Sequence, residues 1–239
     1  MKVKSLVFIV FATVFVAGCT GPKGDTGPMG PSGTKSPTYI YNQAFDSVGY
    51  SLGSEWAMNN NGFGGSISLD TTSFISGMDS MKVTGGSGVA GGVYTQNGVV
   101  SYSPSNGDFD VDFYWNPSGI VTASVKVEAV FVNSGVIMAD LGFAYGSTNT
   151  FYVYSGGTAH TVESVTSSPY YHHIVMVYHP STTLSDYYDD GNLIAQGVNV
   201  GKTVTVSGAP TTWAGFIFPA SLGTTPDTFN VDNFQIYHY

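Results

Sequence analysis

The acids and imidazoles of this chain are few enough to take one by one. Asp108, Asp110 and Asp112 stand at alternate positions in Asp108-Phe109-Asp110-Val111-Asp112-Phe113. A strand sends successive side chains to opposite faces, so the three carboxylates share one face, opposite Phe109, Val111 and Phe113. Two carboxyl groups so placed could do general acid–base work. The alternative is a solvated outer face, and the sequence favours that alternative. His172 and His173 are strand neighbours whose rings point opposite ways and do not readily converge on one ion. His179 with Asp186, Asp189 and Asp190 is a loop set of metal-ligating types. Sugar recognition needs different chemistry: aromatic faces against pyranose C–H groups, with amides and carboxylates beside them. Tyr152 and Tyr154 alternate with Phe151 and Val153, Trp56 sits in an Asn-rich stretch, Tyr145 ends one apolar run and Trp213 opens another. These five are the candidate ligand contacts, since exposed aromatic patches mark recognition sites. Core packing is the competing use of the same residues.

The elements that must carry these residues are strands. The chain has 239 residues, Lys+Arg 7 against Asp+Glu 16, and 14% aromatics. It contains no arginine and has a formal net charge of -9, which excludes nucleic-acid binding, a task for clustered Lys/Arg. Only 10% of residues are charged, whereas helical bundles are rich in Glu, Lys and Arg. Short alternating runs broken by Gly, Asn, Ser and Asp predict strands. In 125–132, Val127, Ala129 and Phe131 share one face while Lys126 and Glu128 point away. Further strands are predicted over 109–115, 136–145, 151–154, 171–179, 184–188, 192–195, 202–206, 213–218 and 229–239. Asp189-Asp190-Gly191 is a tight-turn signal. The expectation is one all-β sandwich over 36–239.

What precedes residue 36 reads as an address and a spacer. Lys2 and Lys4 flank the apolar run Leu6–Ala17, only ~18 Å long as a helix, short for a span and suited to a signal peptide. Val16-Ala17-Gly18-Cys19 resembles the lipobox of bacterial lipoproteins. The resemblance implies cleavage after residue 18, lipidation of Cys19 and a cell-surface or envelope protein held to a bacterial membrane. A lone Cys also excludes an intramolecular disulfide. Five triplets from Gly21 to Lys35 keep Gly at every third place and resemble bacterial collagen-like surface proteins. They form either a monomeric spacer of ~45 Å or the start of a homotrimer. The predicted domains are thus a signal peptide (1–18), a lipid-anchor Cys with a collagen-like stalk (19–35) and a sandwich (36–239).

Several sandwich motifs then point the same way. Phe109–Pro117 with Trp115, Tyr171-His-His-Ile-Val-Met-Val-Tyr178, Tyr187-Tyr-Asp-Asp-Gly191, Val231-Asp-Asn-Phe-Gln-Ile-Tyr237 and Ser76–Val83 together resemble concanavalin A-like and laminin-G-like jelly rolls. The resemblance implies an antiparallel jelly-roll β-sandwich with Trp115 and Phe109 in its core. It also implies a structural calcium where the first and last strands meet, with Asp46 and Asp232 as ligands and Asp79 as a further candidate; otherwise these acids cap strand ends. Glucanases of that fold carry a Glu-x-Asp-x-x-Glu strand, but Glu55, Glu128 and Glu163 fall in no such pattern, and there is no Gly-x-Ser-x-Gly elbow. The sequence therefore predicts a binding protein and not an enzyme. Its partner would be a neutral glycan, because an arginine-free acidic surface suits anionic glycans poorly. The alternative is an adhesive head that binds a surface protein or itself.

Overall fold

Alternating burial runs through nearly every element of the domain. In the computed structural model, the described residues are 36–46, 50–59, 65–85, 91–122, 126–165, 170–218 and 227–239. Cys19 and the collagen-like triplets lie outside them. The described chain runs through β1 (Thr38–Gln43), β2 (Trp56–Met58), β3 (Ser66–Asp70), β4 (Ser80–Thr84), β5 (Gly91–Thr95), β6 (Phe109–Asn116), β7 (Lys126–Asn133) and β8 (Val136–Ala144). It continues through β9 (Asn149–Ser155), β10 (Thr158–Val165), β11 (His172–His179), β12 (Leu184–Asp189), β13 (Asn192–Val198), β14 (Lys202–Thr203), β15 (Thr212–Phe218) and β16 (Thr228–His238). No α-helix occurs among the described residues.

The strands form two antiparallel sheets. One has the order β13-β12-β11-β6-β16-β4-β3, with β1 also on β16; the other has β10-β9-β8-β7-β15-β5-β2, with β14 also on β8. This is the expected jelly-roll-like sandwich. The last strand organises the first sheet: β16 pairs with β6 along most of its length and with β4 and β1 in turn on its other edge. The apolar faces meet in a core of Trp56, Phe113, Trp115, Phe143, Phe151, Phe216, Phe229 and Phe234. Edge-to-face contacts join Phe113 to Phe216 and Trp56 to Phe234, the geometry that ring quadrupoles favour. Trp115 and Phe109 are buried as expected.

Two departures from the sequence reading matter for the site. The polar run Thr158–Val165 is a strand, β10, at a sheet edge where most of its side chains face water. The strand expected over 202–206 shrinks to Lys202–Thr203. Beyond it the chain leaves the ladder and lies as a strap across the outer face of the second sheet. There Val200, Val204, Val206 and Ala209 pack on Tyr94, Val130, Val132, Ile137, Trp213 and Ile217. The strap therefore roofs a face that a plain sandwich would leave to solvent.

Candidate functional site

Outward positions of β7, β8 and β9 lie side by side beneath that strap. Register places Glu128 opposite Gly142, Gly142 opposite Tyr152, and Val130 opposite Asp140. Gly142 is the flat spot: a Cβ there would come within 2.0 Å of the Tyr152 ring. Tyr152 can therefore lie across the sheet, its OH donating to Glu128 Oε1 at 3.2 Å. From the strap, Lys202 Nζ donates to Glu128 Oε2 and reaches Asp140 Oδ2 at 3.3 Å. The same ammonium sits 3.8 Å from the Tyr154 ring centre, a close cation–π contact. Lys126 stands 5.1 Å over the Tyr152 ring.

Burial decides the protonation of this group. Asp140 is 0% exposed, and its Oδ1 has no hydrogen-bond partner. Burial, reinforced by the charge on Glu128, pushes the Asp140 carboxyl well up from its ordinary value, and Lys202 opposes this. Burial alone would lower the Lys202 pKa, but Asp140 and Glu128 more than offset it, so the ammonium is held charged. The cluster opens into a cavity of about 310 Å³ lined by Glu128, Tyr154 and Lys202 together with Val204, Val206 and Ile217. A few polar groups set among apolar ones are the usual make-up of a small-ligand pocket. A second cavity, about 360 Å³, lies across the strap beside Ile137, Tyr178 and Val200.

The five aromatic candidates separate here. Trp56 is 1% exposed and its Nε1 donates to the Tyr41 OH at 3.0 Å, so it is a core residue and no ligand platform. Trp213 is buried under the strap against Tyr94. Tyr152 is 3% exposed, its OH is taken up by Glu128, and it does not line the cavity. Tyr145 packs at the core margin. Tyr154 alone of the five lines the cavity. Sequence reasoning missed Asp140 and Lys202 and did not single out Glu128. The available signal was an acid in the otherwise apolar β8 and a lysine among three after residue 36.

The outer face of the other sheet corrects a second expectation. Asp108, Asp110 and Asp112 do share a face, but it is not simply solvated: Asp110 is 3% exposed and its Oδ1 finds no donor. Burial, then the charges of Asp108 and Asp112, push Asp110 up to about 7. His179 bridges Asp108 (3.0 Å) and Asp186 (3.2 Å), and His173 donates to Asp112 at 2.8 Å. The loop set proposed around His179 therefore divides. Asp186 stays with His179, while Asp189 and Asp190 gather around His172. His172 and His173 do face opposite ways.

The three acids implied for calcium converge on the loop before β4. Asp46 Oδ1 accepts the Met78 and Asp79 amides at 2.8 and 3.3 Å. Asp232 accepts those of Ile75, Ser76 and Asn233 at 2.8, 3.2 and 2.7 Å. Gly77, at φ +70°, lies against the Asp46 carboxylate, where a Cβ would collide at 1.9 Å. Asp79 Oδ1 is buried with no donor. The carboxylates of Asp46 and Asp232 are thus engaged by backbone amides, and the three acids do not bring their oxygens together within 4.8 Å as His172, Asp189 and Asp190 do.

No family model matches the chain, and no curated protein does. Solved structures do match. Cellulose induced protein Cip1 superposes with a TM-score of 0.52 at 17% identity, over 82% of this chain and 95% of that one. The catalytic domain of the glycoside hydrolase family 131 protein from Coprinopsis cinerea does so with a TM-score of 0.51 at 13% identity, over 83% and 93%. At such identities the likeness is one of fold. It nonetheless corrects the expectation that the chain is not an enzyme, because this kind of sandwich serves as a glycoside hydrolase's catalytic domain.

Proposed function

We propose that the sandwich binds carbohydrate, taking a neutral glycan into the cavity beside the strap. The observation that carries this is the grouping, in one cavity, of the Tyr154 ring with the Glu128 carboxylate and the Lys202 ammonium among Val204, Val206 and Ile217. An aromatic face for pyranose C–H groups and fixed charges for hydroxyls are what a sugar site requires. The fold it shares with the cellulose induced protein and the family 131 catalytic domain supports the same reading. A panel of neutral oligosaccharides tested by calorimetry decides it. Tyr154→Ala should weaken the best ligand roughly tenfold, a loss of ~1.4 kcal/mol, and Tyr145→Ala should not. A panel without a binder, or full affinity in Tyr154→Ala, defeats the proposal.

Hydrolysis is the second reading, favoured by one observation: Glu128 and Asp140 both meet the Lys202 ammonium, and burial holds Asp140 towards its neutral form. A glycosidase uses two carboxyl groups, one as acid and the other as nucleophile or base. Release of reducing ends that Glu128→Gln abolishes would establish it, and Glu128→Gln cleaving at the wild-type rate would reject it.

We further propose that Cys19 carries a lipid that anchors the domain to a bacterial membrane, with the triplets as spacer; Cys19→Ser should move the protein from the membrane to the soluble fraction. Calcium held by Asp46, Asp79 and Asp232 completes the reading. Its test is a calcium-dependent rise in melting temperature that Asp79→Asn removes.

A further inference from the structure

Lys202, Asp140 and Glu128 also satisfy the requirements of a reaction that neither binding nor hydrolysis uses. An amine and a carboxylic acid differ from an amide by one water. Groups held in contact react as though at effective molarities that reach ~10⁵–10⁸ M. Three strands bring the groups together here. Lys202 lies on β14, whose ladder to β8 is only Lys202 on Ile137 and Thr203 on Val136. Its Nζ stands 3.3 Å from Asp140 Oδ2 on β8 and also donates to Glu128 Oε2 on β7. The Tyr154 ring, 3.8 Å from Nζ, closes the other side. The site is largely dry: the side chains of Lys202, Glu128 and Asp140 are 24%, 4% and 0% exposed.

The surroundings give each group a role. Asp140 has Lys202 as the one donor on its carboxyl among the described residues, and its Oδ1 has none. Burial favours its neutral form, and a carboxylic acid accepts a nucleophile where a carboxylate does not. Glu128 accepts from both the Tyr152 OH and Lys202 Nζ, so it touches the proton that the ammonium must lose. Moving that proton converts two buried ions into two neutral groups, and buried ions carry a large desolvation cost.

We propose that Lys202 and Asp140 condense into an intramolecular amide, with Glu128 as proton carrier, and that this bond fastens the strap to β8. Lys202 Nζ gives a proton to Glu128, and the freed electron pair attacks the Asp140 carboxyl carbon. Glu128 passes its proton to the Asp140 hydroxyl, the C–O bond breaks and water leaves. The nitrogen then returns one proton to Glu128. An ammonium, a carboxylate and a carboxylic acid thus become an amide, a water and a carboxylic acid; hydrogens and charge balance, and nothing is oxidised. The ion pairs described above are the state before this reaction. Afterwards Tyr154 and Glu128 still line the cavity, and an amide N–H replaces the ammonium. Hydrolysis by Glu128 and Asp140 is incompatible with the bond, which consumes the Asp140 carboxyl.

The test is intact-mass spectrometry of the unlipidated mature chain, from residue 19 onward, left folded overnight. Its mass should fall short of the sequence mass by one water, and proteolysis should release a branched peptide joining Lys202 to Asp140. Lys202→Met and Asp140→Ala should keep the full mass. Glu128→Gln retains both reacting groups and should form the bond at least tenfold more slowly, as the loss of a proton carrier requires. Wild-type protein at its full sequence mass overturns the proposal without recourse to any variant. So does a water lost elsewhere, such as a succinimide at Asp190–Gly191, without the branched peptide. A branch at Glu128 in place of Asp140 overturns the assignment, and bond formation at the wild-type rate in Glu128→Gln overturns the role of Glu128. The mass reads the bond alone, so its absence would leave glycan binding to be decided by the Tyr154→Ala calorimetry.

Discussion

The two outer faces of the sandwich both bury carboxylates, and they compensate for them in opposite ways. On the β7–β8–β9 face, Glu128 and Asp140 share one ammonium beneath a strap. On the β6–β11–β12 face, the cationic partners of Asp108, Asp112 and Asp186 are the imidazoles of His173 and His179, with the Tyr237 OH and the Gly197 amide also donating to Asp112 and Asp186, and Asp110 meets no donor at its Oδ1. A lysine keeps its charge throughout the physiological range, whereas a histidine does not. The first face therefore has fixed electrostatics, and the second has electrostatics set by pH. After residue 36 the chain holds 3 Lys, and two of them, Lys126 and Lys202, serve the first face. The scarce permanent cations are concentrated where the cavity is.

The sharpest way to break this contrast is Lys202→Met. It removes the one cation that Glu128 and Asp140 share and leaves both buried. Stranding a buried charge costs about 3–5 kcal/mol, so urea denaturation at pH 7 should show a loss of that size. The loss should grow above pH 7, because without the ammonium that lowers its pKa Asp140 keeps its proton past the pH at which the wild-type carboxyl ionises. A deficit below ~1 kcal/mol at pH 7 would mean that Lys202 is a surface pair like any other.

The contrast also shows what the sequence made legible. Alternation revealed the inward faces of β6, β7, β11 and β16, since Phe113, Trp115, Phe131, Ile174 and Ile236 are large apolar residues at period two. The fold class follows from such local repetition. The strap does not. Val204 and Val206 alternate as a strand would, but their hydrophobic partners lie on an outer face that periodicity alone assigns to solvent. Glu128 was therefore read as pointing away from the core, which is true, and the roof above it went unseen. Trp56 erred in the other direction. Its Asn-rich neighbours suggest a binding loop, while its ring is held inside by Phe45 and Phe234. Which face is covered depends on one crossing segment, a long-range fact without a local signature.

Asp110→Asn probes the pH-set face with a smaller effect. Burial and two neighbouring acids raise Asp110 to about 7 in the folded protein, against ~3.9 for an ordinary aspartate. The folded state thus holds this proton more tightly than the unfolded chain. Its contribution to stability is complete below about pH 4 and is lost as pH rises through about 7. Asparagine does not ionise and carries no such loss. Stability measured by urea denaturation should therefore shift in favour of Asp110→Asn by roughly 2–3 kcal/mol between pH 5 and pH 8. The histidines act in the same direction in both proteins. The hydrogen bond to Asp112 raises His173. Burial pulls His179 down, but its bonds to Asp108 and Asp186 carry it above the ordinary value. Their stabilisation also fades as pH rises, so to first order it cancels in the difference between variant and wild type. A difference that stays flat from pH 5 to pH 8 would show that Asp110 is ionised throughout. The face would then be no more responsive to pH than the one Lys202 holds.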